Sequence, residues 1–201
     1  MISQIIQKIK LSLRANEKPK NLHGFTIVEL LIVIVVIGVL AAISIAVYSN
    51  VQMSARNAAR VSEANEWVKI LSMYGATEGK YPFSAGVYCL GYGFPVYSPN
   101  TVGSCWDASG GTATVYYQND TINADIAQKV GVSLPNSTRA VITEAGRDRL
   151  GPVATWNGGS ILYVVYWLES PGKAATDKCP LGDKLWSGAY TYSCRIPLPT
   201  L

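Results

Sequence analysis

Histidine is nearly missing from this chain of 201 residues: His23 is the only one. Past that position Ser-His and Cys-His dyads are excluded, and zinc binding has little to work with, because no C-x-x-C pair is present. No glycine-rich phosphate loop stands out, and no two acids sit in the pattern of a glycine-lined cleft. The chain is therefore expected to be neither an enzyme nor a cofactor or metal binder. Proline is missing between Pro19 and Pro82, so nothing in that span forces a helix to stop. Net charge is missing too, once the chain is divided. Five of the 17 basic residues and one of the 13 acidic ones fall in residues 1–24, which leaves 12 of each beyond. A neutral remainder offers no net electrostatic footprint for nucleic acid. Finally, there is no second long apolar run, so at most one membrane crossing is expected.

What is present begins with that single run. Leu30 to Val47 is 18 residues without a charge, and 21 when counted from Ile27 across Glu29. This meets the roughly 20 residues a helix needs to cross a hydrocarbon core. Lys8, Lys10, Arg14, Lys18 and Lys20 precede it, which places residues 1–24 in the cytoplasm and the C-terminal part outside. A carboxylate at membrane depth costs about 2.5–3.5 kcal/mol at a helix centre on insertion scales, so Glu29 near the start of the run calls for a function. Cys89, Cys105, Cys179 and Cys194 all lie on the outer, oxidising side, and an even count there favours two disulfides. Three pairings are open. Cys89–Cys105 with Cys179–Cys194 is favoured, because each closes a local loop worth roughly 3 kcal/mol by the chain-entropy argument.

In the leader, Ile2, Ile5, Ile6, Ile9 and Leu13 fall at helical spacing among basic residues, which suits either a short amphipathic helix on an anionic leaflet or an unstructured segment. From Thr26 onward the pattern is helical, first apolar all round, then with one stripe through Val51, Ala55, Ala58, Val61, Ala64, Val68 and Leu71. Gly75, Gly79 and Pro82 give the stop, so the helix is expected to reach Tyr74. Short β-favouring runs follow at Val115–Gln118, Val153–Trp156, Ile161–Leu168 and Ala189–Ile196, with Asn157-Gly158-Gly159-Ser160 as a turn. Ile161–Leu168 is apolar on both faces, as a central strand would be. Ile122–Val130 suggests one or two helical turns. The expected architecture is α+β: a long helix whose outer half packs on one face of an antiparallel sheet.

Gly24-Phe25-Thr26-Ile27-Val28-Glu29-Leu30-Leu31-Ile32-Val33 resembles the prepilin junction of type IV pilins and of their type II secretion relatives, the pseudopilins. The likeness continues through Gly38, Leu40-Ala41-Ala42-Ile43 and Tyr48, then Ala55-Arg56-Asn57-Ala58-Ala59-Arg60 and Gly79-Lys80-Tyr81-Pro82. The resemblance implies a type IV pilin-like fold. It implies a leader over 1–24, a transmembrane and filament-core helix half over 25–47, an amphipathic half over 48–74, and a disulfide-bonded β head over 75–201. A prepilin peptidase would cut between Gly24 and Phe25 and methylate the new Phe25 amine. Glu29 would then pair with the amine of a neighbouring subunit as the chains self-assemble into a homo- or hetero-filament. The implied partners are that peptidase and methylase, the inner-membrane pilus assembly machinery and the membrane itself. The protein would rest single-pass in the cytoplasmic membrane before assembly and in a cell-surface pilus after it, serving adhesion, twitching motility or DNA uptake. A type II secretion pseudopilin and a membrane-tethered extracellular binding domain are the alternatives. Many family members carry a proline where this chain has Ala46, which puts in doubt helix unwinding as a source of filament elasticity.

Simpler readings compete at several points. Thr26 to Glu29 also spells a capping box, with Phe25 and Leu30 as its hydrophobic staple. Ser44-Ile45-Ala46 has the small-x-small form of a signal-peptidase site, although the apolar stretch exceeds the usual 7–15 residues. Tyr163, Tyr166, Trp167, Tyr190 and Tyr192 are expected in the β core. Asn119, Asp120, Asn123 and Asp125 lack EF-hand spacing and are expected in a solvated turn. Asn119-Asp120-Thr121 and Asn136-Ser137-Thr138 fit the glycosylation sequon.

Overall fold

In the computed structural model, residues 24–96, 102–108, 116–136, 142–144, 147–156, 161–172 and 176–201 are described. The basic leader, the 157–160 turn, Val115 and the end of the Asn136 sequon lie outside them. The chain divides into two compact units, Met1–Ala46 and Val47–Leu201. Helix α1, Ile27–Glu78, contributes to both.

In the first unit, α1 is helical without a break, as expected of a span lacking proline. Ile27 through Ile43 present their large apolar side chains to the surroundings, each at least half exposed. By length and composition this is the one helix among the described residues able to cross a membrane. Ser44 bends its hydroxyl back to the Leu40 carbonyl (2.8 Å) and so meets its hydrogen bond inside the helix.

The second unit holds the rest of α1, a second helix and two antiparallel sheets. The helix expected to stop at Gly75 runs four residues further. Gly75 is packed against Leu201 and Tyr81, whereas Gly79, at φ +68°, adopts the left-handed conformation and donates to the Gly75 carbonyl at 2.9 Å. The strands are β1 (Gly86–Cys89), β2 (Ser104–Ala108), β3 (Tyr116–Tyr117), β4 (Ile142–Glu144), β5 (Arg147–Arg149), β6 (Val153–Trp156), β7 (Tyr163–Glu169), β8 (Asp183–Ser187) and β9 (Thr191–Pro197). One sheet has the order β1-β6-β7-β9-β8 and the other β3-β2-β5-β4.

Strand β7 is central, and its two faces explain its unbroken apolar sequence. Val164, Tyr166 and Leu168 face a core shared with Ala64, Trp67, Ile70, Leu71 and Tyr74 of α1. Val165 and Trp167, on the opposite face, pack with Cys105, Leu150 and Ile142 beneath the four-stranded sheet. The sequence reading anticipated the first layer and not the second. Tyr166, Trp167 and Tyr192 are buried as expected, but Tyr190 is 66% exposed, because it sits in the tight β8–β9 connection.

The segment expected as a solvated turn is helix α2, Asp120–Val130, which absorbs the suggested turns at Ile122–Val130. Asn119 caps it by accepting from the Ile122 amide (3.0 Å), and Gly131 closes it at φ +70°. Asn123 is buried and exchanges two hydrogen bonds with the Gly91 backbone. Asp125 accepts from the Tyr74 hydroxyl. These polar residues therefore dock α2 to its neighbours, and they do not form a cation loop.

Candidate processing and assembly site

The first unit's chemistry is concentrated at the start of α1. Thr26 is the cap: its hydroxyl accepts from the Glu29 amide at 3.2 Å, and its carbonyl accepts from the Leu30 amide at 3.2 Å. Glu29 reaches back, and its Oε2 accepts from the Thr26 amide at 2.9 Å and from the Thr26 hydroxyl at 2.8 Å. Two of the helix's orphan amides are thus satisfied reciprocally, as a capping box does. The alternative offered by the sequence is formed in the uncleaved chain. It is compatible with a second role, since capping engages one of the two carboxylate oxygens. Phe25 is 79% exposed at this junction.

Gly24 is informative for what it does not do. A Cβ there would meet nothing within 4 Å, and its backbone is outside the left-handed region. Neither space nor conformation in this chain requires glycine at that position. A residue type that folding does not demand is open to a demand from outside, such as the narrow site of a protease.

In the second unit, the structure joins Cys89 to Cys105 and Cys179 to Cys194, with Cα separations of 5.6 and 5.8 Å. The first links β1 of the five-stranded sheet to β2 of the four-stranded one. The second fastens the segment before β8 to β9.

A cluster that sequence reasoning missed secures the outer half of α1. Glu169, the last residue of β7, accepts from Arg56 through Nε (2.9 Å) and NH2 (2.5 Å), and from Arg60 NH1 at 2.8 Å. Asn57 spans the same residue's backbone, donating to its carbonyl (2.8 Å) and accepting from its amide (2.9 Å). The hydrogen bonds from Arg56 hold the Glu169 carboxyl below its ordinary range, with Arg60 adding to the effect and partial burial opposing it. The two arginines respond in opposite directions. Bonding to Glu169 raises Arg56, whereas burial lowers Arg60 against the pull of the same carboxylate, and both stay charged at neutral pH. The signal was legible in principle: an acid ending a strand that is otherwise wholly apolar needs a partner.

No group of metal-ligating side chains assembles among the described residues. Residues 19–45 match the family described as the prokaryotic N-terminal methylation motif, a type IV prepilin-like signal. No curated protein and no solved structure gives a match. That signal opens a long apolar helix that leads into antiparallel sheets, an α+β arrangement that fits a type IV pilin-like fold.

Proposed function

We propose that the protein is a structural subunit of a type IV pilus, made as a membrane precursor, cut between Gly24 and Phe25, methylated on the Phe25 amine and polymerised through residues 25–74. Residues 75–201 would form the disulfide-braced head, and the filament would serve adhesion, twitching motility or DNA uptake. The observation that carries this reading is the juxtaposition at one helix start. A glycine the fold does not need adjoins an exposed Phe25, a carboxylate at Glu29, and a helix whose apolar side chains from Ile27 to Ile43 are at least half exposed among the described residues.

Chemistry supports the same sequence of events. Cleavage would turn the Phe25 amide nitrogen into an ammonium four residues before Glu29 and next to the Thr26 cap, whose amide already donates to the Glu29 carboxylate. In low dielectric the two charges attract strongly, and leaving either alone is expensive. Exchanging that internal pair for the amine of a neighbouring copy would fix axial register, while the isoleucine, leucine and valine side chains supply packing without register. A pseudopilin reading uses the same helix, and Gly79-Lys80-Tyr81-Pro82 at its exit favours that relative.

The test is the N-terminus of the mature protein together with the material sheared from cells. A methylated Phe25 and long head-bearing fibres are expected. Retention of Met1 with no released material would leave only a tethered domain, and a start at Val47 would mean a secreted one.

A further inference from the structure

The five-stranded sheet turns one face toward α1 and the other toward the smaller sheet, which covers only part of it. In the uncovered part lies a slot of about 410 Å³, within the roughly 300–1,000 Å³ typical of small-molecule sites. Short side chains such as Val165 and Ser193 floor it, and four aromatic rings wall it: Trp106, Tyr116, Trp167 and Trp186. Strand register explains the shape. Ser193 of β9 lies opposite Trp167 of β7 on one side and opposite Trp186 of β8 on the other. Directly paired residues share a sheet face, so one small residue stands between two indoles. Neighbouring strands lie about 4.8 Å apart, which roots those indoles roughly 10 Å from each other. A flat ring in contact on both of its faces takes up roughly 7–8 Å. Trp106 meets Tyr116 and Trp167 edge-on at 5.6 and 5.3 Å between ring centres, so these three rings fix one another. A wall formed in advance loses little freedom when a ligand enters.

The polar groups of the lining decide what kind of ligand fits. Ser193 is 2% exposed, and its hydroxyl has no hydrogen-bond partner among the described residues. A buried hydroxyl left alone is costly, so a ligand that supplies a partner gains what the fold leaves unmade. Arg149 is the one charged residue among those lining the slot, and it is engaged with the protein itself. Its guanidinium lies 4.3 Å from the centre of the Trp186 ring and 5.4 Å from that of Trp106, with NH1 donating to the Thr191 hydroxyl at 2.6 Å. It thus holds the place over the two indoles that an added cation would seek. No carboxylate is among the described lining residues to pair with such a cation. A charged ligand would shed its water against apolar walls, and a sugar would bring more hydroxyls than Thr155 and Ser193 can satisfy. An uncharged ring with a single polar group meets neither cost.

We propose that this slot binds a small uncharged molecule built on one flat ring or fused ring pair. The ring lies over Ser193, between Trp186 on one side and Trp167 with Trp106 on the other, and its polar group bonds to the Ser193 hydroxyl. Cleavage, methylation and assembly use none of these residues, so the site stands apart from the filament role.

The experiment uses the full-length chain in detergent, with protein-free micelles as the blank, and follows a fluorinated naphthamide by fluorine NMR. The matching naphthoate, naphthylmethylammonium and plain fluoronaphthalene are the comparison probes. Saturable binding of the naphthamide is expected, with the naphthoate no tighter and the ammonium about tenfold or more weaker. Ser193→Ala removes a hydroxyl that the fold does not use. It leaves Tm unchanged, weakens the naphthamide about two- to tenfold and leaves fluoronaphthalene as it was. Thr155→Trp, at a half-buried position on β6, fills the slot and abolishes binding of every probe; should that variant not fold, Ser193→Ala decides alone. No saturable binding, a naphthoate or ammonium held tighter than the amide, or an amide affinity unmoved by Ser193→Ala overturns the proposal. Binding to the dispersed chain that vanishes in assembled fibres also overturns it, since a second copy would then be the occupant.

Discussion

Replacing Glu169 with alanine removes one carboxylate and leaves two guanidinium groups facing the end of β7. The two losses differ in size. Arg56 is 41% exposed in its side chain, so water replaces most of what it loses, and its share is that of a surface pair, below about 1 kcal/mol. Arg60 is 7% exposed and cannot rehydrate without moving. Removing one partner of a buried charge costs up to about 3–5 kcal/mol, and Arg60 keeps a 3.3 Å bond to Asn57 and the attraction of Glu63, which favour the lower end. The expected destabilisation is therefore about 3 kcal/mol, equivalent to roughly 6–12 °C in Tm for a protein of this size. Because the folded-state pKa of Glu169 is depressed, its contribution is complete above the unfolded value of about 4.3 and is lost as pH falls through the lower folded value. Melting curves of the full-length protein and of Glu169→Ala, followed by circular dichroism in detergent, should be widely separated at pH 7 and converge below about pH 4. A difference under about 1 °C at pH 7, or a gap that persists undiminished in acid, would refute the reasoning.

Tyr74→Phe deletes the hydroxyl that donates to Asp125, and a stability loss of about 1.5–3 kcal/mol in chemical denaturation is expected. Burial first, then Asp125, raises the Tyr74 pKa to about 12, so its contribution is present below about pH 10 and disappears as pH rises towards 12; an ultraviolet titration of the variant should lack one late tyrosine step. Gly182 has φ +72°, and a Cβ added there would fall on the Arg195 carbonyl, so Gly182→Ala joins backbone strain to a collision and should lower stability by more than about 2 kcal/mol, visible as a fall in Tm.

The elements most legible in the sequence were those with one dominant cause. An apolar run without proline could only be a long helix, and β6, at Val153–Trp156, follows the predicted bounds because β-branched and aromatic residues stand between two breakers. Thr26 and Glu29 are three residues apart, so their capping geometry was readable locally. What escaped depended on distant partners. The strands β2, β4 and β5 hold charged residues such as Asp148 and Arg149, and become strands only because they cover the second face of β7. Gly75 looked like a terminator, but Leu201 and Tyr81 pack on it, and the helix passes through. Asn123 and Asp125 looked solvent-seeking until Gly91 and Tyr74 supplied partners from elsewhere in the chain. In each case local propensity was overruled by a contact far away in sequence, which a pattern of neighbouring residues does not encode. The candidate site shows the same division. Gly24, Phe25 and Glu29 were legible together, whereas the Arg56–Asn57–Arg60 clamp on Glu169 spans more than 100 positions.

Charge at position 29 can be separated from capping by one substitution. Glutamine at Glu29 still accepts from the Thr26 amide and hydroxyl, but it cannot form an ion pair with a neighbour's methylated amine. Purified Glu29→Gln protein is expected to begin at Phe25, fully processed, while cells yield few or no sheared filaments. Filaments from the Glu29→Gln strain at the wild-type yield would contradict the account.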